Sequence, residues 1–203
     1  MDELEQARRI EASDDVRKGA LTRFRNQVAE WGIAIPDTEP LVLDFGLEQF
    51  ESVGLTESWI ANEIDAGYCG KYLFVSDGQT CPMHHHRQKD ESFFVVEGGV
   101  NVMHDGQEIE LSKGHLLVVP PLVKHCFTGV GAALLLELSQ PCLIDDNNFE
   151  DERILIGGNY QGADPELQTE AKDTIEQSPT TNSERDQGPL PLRYAPLPTF
   201  VGP

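Results

Sequence analysis

The run "DGQTCPMHHHRQKDESFFVVEGG", Asp77 to Gly99, constrains this chain more than any other stretch. It holds three consecutive histidines, then a glutamate five residues after the last, with glycine near each end. Along a β-strand successive side chains point to opposite faces. If Cys81 to His86 is a strand, His84 and His86 share a face and His85 points the other way. Two imidazoles at i and i+2 form a two-nitrogen clamp. Glu91 can enter the same space from the next strand. His125, in "VPPLVKHCF", is the best source of a fourth ligand, because an apolar strand ends there at Pro-Pro and another begins. His104 and His115 have no comparable spacing and read as ordinary structural residues.

The surrounding texture is β. From Leu41 onward short β-prone runs alternate with Gly, Asp and Pro: "LVLDF", "KYLFV", "SFFVVEGGVNVMH", "EIELSKGHLLVVPPLVKHCF" and "AALLLEL". That pattern predicts an all-β sandwich or barrel. Before it, Asp2 to Trp31 reads as one helix, with apolar residues near helical spacing and Gly32 as its stop. After Ile156 the β signal ends. Gly162 to Gly188 reads as mobile, with a single helical turn in "DPELQTEAKDTIEQ", and Tyr194 and Phe200 sit in a proline-rich arm. The expected division is a helical segment over 1–40, a barrel over 41–156 and an acidic, Pro-rich tail over 157–203.

Charge narrows the partners. Thirty-five acids against 15 Lys and Arg leave a net charge of -20. Such a surface disfavours nucleic acid and anionic membranes. The four cysteines, Cys69, Cys81, Cys126 and Cys142, form no CxxC unit, so a cysteine-based zinc site is not expected. The opening "MDELEQARRIEASDD" is charged from the start, and no apolar run approaches the ~20 residues of a bilayer span. A cytoplasmic protein with reduced thiols is the expectation.

The spacing around the histidines carries a resemblance. Gly78, five residues, His84, one residue, His86, four residues, Glu91, six residues and Gly98 match the first motif of the cupin superfamily. Gly114, five residues, Pro120 and then His125 match the frame of the second, although Leu122 stands where glycine is usual and Gly129 where asparagine is usual. The resemblance implies a single jelly-roll-like barrel with His84, His86, Glu91 and His125 around a divalent ion. Manganese is the first choice, and cobalt, iron, nickel or zinc also suit three imidazoles and a carboxylate.

Further residues resemble the D-lyxose ketol-isomerase family. Lys71 lies thirteen residues before His84, Gln79 and Pro82 precede the histidines, and Lys89 stands two before Glu91. Downstream come Glu137, Ser139, Asp145, Asp146, Phe149, Asp151, Arg153 and Ile154, and upstream "LDFGL". The resemblance spans about Val28 to Ile156. It implies an aldose–ketose isomerase of free sugars, turning D-lyxose into D-xylulose and D-mannose into D-fructose through an enediolate, and it implies a homodimer. Lys89 and Glu137 would be catalytic; Lys71, Asp146 and Arg153 would contact substrate. A lysine beside a dication would have its charged form disfavoured. Two other readings share the ligand set: an iron-dependent cupin dioxygenase and a non-catalytic sugar-binding cupin.

Overall fold

The computed structural model describes residues 3–159. The expected mobile stretch and proline-rich arm of the tail lie outside them. Nine strands form one curled sheet: β1 (Leu41–Leu43), β2 (Leu55–Glu63), β3 (Tyr68–Val75), β4 (Thr80–His85), β5 (Glu91–His104), β6 (Gln107–Ser112), β7 (Leu116–Val119), β8 (His125–Ser139) and β9 (Asn148–Phe149). Long β5 and β8 pair antiparallel along most of their length; β6 and β7 join β5, β3 and β4 join β8, and β2, β1 and β9 extend the sheet beyond β3 and β4. Burial along β5 alternates at its start, with Glu91, Phe93 and Val95 inside and Ser92 and Phe94 half-buried outside. That period of two is what folds the sheet around a core of Leu73, Val95, Phe127 and Leu135.

The single expected helix is two. α1 (Glu3–Ala7) runs into a 3-10 turn, and α2 (Asp14–Glu30) starts afresh after a break. At the break the chain joins the sheet. Ala12 N–H donates to the Val42 carbonyl, and the Ile10 carbonyl accepts from Asp44 and Phe45. Those bonds to β1 replace helical ones, which a local periodicity cannot reveal. Asp14 and Asp15 favour the new start through the helix dipole. α2 ends where expected. Gly32, at φ +69, donates to the Ala29 carbonyl while Ile33 reaches back to Val28, a glycine-type C-cap. Phe24 and Val28 pack on Phe74 and Leu134, so α2 covers part of the outer sheet face.

β2 and β9 did not stand out in the sequence. β2 is "LTESWIANE", whose apolar residues do not alternate cleanly. Among the described residues no helix is long and apolar enough to cross a membrane.

The two departures from the motif frame have local explanations. Leu122 takes the left-handed backbone that glycine would favour, at φ +69, with its side chain 67% exposed. Gly129 packs its backbone against the Ser76 carbonyl, where a Cβ would collide. Gly98 combines both demands, with φ +75 and no room beside Ala132 and Ala133.

Gly98→Ala should therefore cost more than about 2 kcal/mol. Leu122→Gly should add about 0.5–1 kcal/mol, because relieved left-handed strain exceeds the extra chain entropy of glycine. Urea denaturation of both variants checks the two signs.

Candidate metal centre and its ion ladder

Sheet register builds the site row by row. Trp59 on β2 faces Lys71 on β3, Lys71 faces Glu137 on β8, and Glu137 faces Phe93 on β5. Two residues along, Cys69, Ser139 and Glu91 form the next inward row. His84 on β4 pairs across to His125 on β8. These inward positions converge on a cavity lined by Glu57, Lys71, His84, Lys89, Glu91, Glu137 and Asn147, with walls that include Phe45, Phe93, Phe127 and Phe149.

The imidazoles of His84, His86 and His125 offer ligand nitrogens within 4.8 Å of one another, and all three residues are buried. Each ring is oriented through Nδ1. His84 Nδ1 lies 2.8 Å from the Pro82 carbonyl, His86 Nδ1 3.1 Å from that of Asp146, and His125 Nδ1 3.1 Å from that of Val123. Donation to those carbonyls leaves every Nε2 as an unprotonated acceptor, the usual way that ligating histidines are prepared. Glu91 Oε2 sits 3.2 Å from both His86 Nε2 and His125 Nε2, and these three buried atoms have no hydrogen-bond partner. Buried polar atoms without partners are costly. Their convergence on one point fits a divalent cation.

Charge fits it too. Glu91 Oε1 is 2.7 Å from Lys89 Nζ, which is 3.2 Å from Glu137 Oε1. Glu137 Oε2 is 3.4 Å from Lys71 Nζ, which is 3.0 Å from Glu57 Oε1. Trp59 Nε1 closes the ladder by donating to Glu57 Oε2 at 2.8 Å. Three carboxylates against two ammonium groups leave one net negative charge beside the imidazoles, which favours a cation there.

Ionisation follows from this packing. Burial opposes a charge on Glu91, yet the Lys89 ammonium outweighs it and holds the carboxyl well below the usual range. Burial also opposes a charge on Lys89, but Glu137 and Glu91 outweigh it and raise the amine. The protein's own carboxylates set this upward direction, and a dication beside the amine would act in the opposite sense. Lys71 is raised likewise: burial opposes its charge, and Cys142, Glu137 and Glu57 overcome it. Burial first, then His125 and His86, push the His84 imidazole well below its ordinary value.

Other expected residues lie elsewhere. Arg153 does not reach the cavity. Its guanidinium is exposed and clamped on Asp151, with Nη2 2.6 Å from Oδ2. Asp146 is buried but is not a lining residue. His85 is half-buried on the face opposite His84, and His115 accepts from the Ser112 N–H in a turn. Gln79 is a staple, with Oε1 accepting from the Ser76 N–H and Nε2 donating to the Phe50 carbonyl. Glu57 was missed. Its signal was a carboxylate two residues from Trp59, which gives both one strand face.

The fold and this ligand group together define a cupin, and a cupin-domain family model matches residues 72–138. The D-lyxose/D-mannose isomerase of Thermosediminibacter oceani is 30% identical over 141 residues, covering 56% of this chain and 77% of that protein. The chain belongs to the D-lyxose ketol-isomerase family of the cupin superfamily. Solved structures share the fold. L-ribose isomerase of Geodermatophilus obscurus has a TM-score of 0.61 at 14% identity, over 70% of this chain and 94% of that one. The Cellulomonas parahominis L-ribose isomerase, solved with L-ribose, has 0.56 at 17%, over 70% and 93%.

A divalent ion at a hundredfold its dissociation constant should stabilise the protein by about 2.7 kcal/mol. Thermal unfolding with manganese and with chelator measures this, and His125→Ala should abolish the shift. The depressed His84 imidazole binds a proton more readily unfolded than folded. Its contribution to stability is therefore present above the ordinary histidine value of about 6.5 and lost progressively as pH falls below it. Metal-free protein should thus lose stability on acidification through that range, as read by urea midpoints.

Proposed function

We propose that this protein is a metal-dependent aldose–ketose isomerase of free sugars, interconverting D-lyxose with D-xylulose and D-mannose with D-fructose. The observation that carries the reading is the Glu91–Lys89–Glu137–Lys71–Glu57 ladder, which lines one cavity with His84 and meets the imidazoles of His86 and His125 at Glu91. Membership of the family supports the same substrates.

The reaction moves a proton between C1 and C2 and a second proton between O1 and O2. His84, His86, Glu91 and His125 would hold the ion, with manganese the first choice. When bound, it supplies Lewis acidity to the neighbouring carbonyl and hydroxyl oxygens. Glu137 is the base that takes the carbon-bound proton of the open-chain sugar, leaving an enediolate, and returns it to the adjacent carbon. Lys89 carries a proton 3.2 Å from Glu137 and serves the oxygens. Lys71 holds the far oxygen of Glu137 and offers an ammonium to a sugar hydroxyl. Phe93, Phe127 and Phe149 restrict water around these groups. The charged wall favours a polyol over the thiol or aromatic ring of a dioxygenase substrate.

A homodimer in the cytoplasm completes the proposal. Outside the patch under α2, the outer face exposes Ile60, Leu138, Leu116 and Val118. The strand positions among them, Gly70, Ser92 and Phe94, are also uncharged. On a chain of charge -20 an uncharged face suits a second copy, since any acidic face would repel itself. Leu138→Asp should yield a monomer by light scattering, and a wild-type monomer would remove the dimer.

Purified protein with manganese and a panel of aldoses should form ketose with no oxygen uptake. No turnover of any pentose or hexose, with or without metal, would refute the isomerase. Lys89→Ala and Glu137→Gln should each lower kcat by about 10²–10⁴-fold. A variant of either residue that binds metal and keeps full activity removes that residue from the mechanism.

A further inference from the structure

Asp146 closes a 3-10 turn, Ile144–Asp146, between β8 and β9. Its carboxylate accepts from three successive backbone N–H groups. Arg87 donates to Oδ1 at 2.8 Å, Gln88 to Oδ2 at 3.1 Å and to Oδ1 at 3.3 Å, and Lys89 to Oδ2 at 3.0 Å. Its backbone carbonyl accepts from His86 Nδ1 at 3.1 Å and from Asn148 Nδ2 at 3.0 Å. The residue is 5% exposed.

These bonds join two groups that the chain separates. His86 directly follows β4, and Lys89 lies further along the irregular link between β4 and β5. Arg87 and Gln88 turn their side chains to solvent, so that link has no apolar packing of its own there. An anionic acceptor in a nest of consecutive N–H groups holds it from inside. The turn is itself held. Ile144 N–H donates to Glu3 Oε2 of α1 at 2.6 Å, so the N-terminal helix braces it.

We propose that Asp146 is a positioning residue that fixes the Lys89 amine relative to the His86 imidazole, with α1 acting through Glu3 as its brace. This replaces the substrate-hydroxyl contact expected from the resemblance, because both carboxylate oxygens are already occupied by the link and the residue does not line the cavity. The catalytic consequence rests on the isomerase reading; the structural one does not.

The test uses the full chain and Asp146→Asn, which keeps the shape and one acceptor oxygen. Amide exchange of Arg87, Gln88 and Lys89, followed by NMR, should speed up on the order of 100-fold. Bound manganese should stay at wild-type stoichiometry, since the Asp146 carbonyl is unchanged. kcat should fall on the order of 10²-fold with KM within about twofold, as expected for a misplaced catalytic group. A raised KM with unchanged kcat would make Asp146 a substrate contact and overturn the inference, as would faster exchange with no loss of kcat, or unchanged exchange. If the variant does not fold, wild-type amides decide. Exchange of those three at the rate of unprotected peptide overturns the proposal, and strong protection upholds it. If wild type converts no sugar, the isomerase reading fails while the exchange measurement still decides the role of Asp146.

Discussion

The structure depends on one alternation of charge. Glu91, Lys89, Glu137, Lys71 and Glu57 run in sequence through the barrel interior, each within 3.4 Å of the next. Each of these groups taken alone out of water would cost several kcal/mol. Together they are tolerable, because every carboxylate meets an ammonium and Trp59 and Ser139 supply further hydrogen bonds. Removing one partner strands the other, at about 3–5 kcal/mol. The fold must therefore bring five residues from β2, β3, β5 and β8 and the link before β5 into one register, and the long β5–β8 pairing does so.

The same alternation prepares reactivity. A carboxylate held between two ammonium groups, beside a cluster of imidazoles turned by backbone carbonyls, puts a proton acceptor, proton carriers and unprotonated ring nitrogens in one space. None of the three needs a mobile loop to assemble. The orienting groups are mostly backbone: Pro82, Val123 and Asp146 set the rings through their carbonyls. Ring geometry is thereby tied to the backbone rather than to side chains that could rotate away.

Legibility followed the range of each constraint. The β texture and the shared face of His84 and His86 are short-range facts, and both were readable. Lys89 beside Glu91 was readable for the same reason. The break between α1 and α2 was not, because it is made by bonds to β1 some thirty residues away. Arg153 looked available for substrate, yet Asp151 two residues before it takes the guanidinium at the surface. Glu57 was hidden in a strand whose burial is uneven, and its partner Lys71 lies on the neighbouring strand.

By itself the sequence determined the two-imidazole clamp, the glutamate after it and the family frame, since strand parity and residue spacing act along the chain. Tertiary structure alone decided that Lys71, Glu137 and Glu57 continue the charge line from Glu91, and that Asp146 holds the link instead of facing the cavity. Those outcomes depend on which strands lie side by side and in what register. Hydrogen bonds across a sheet set that register, and no local pattern records it.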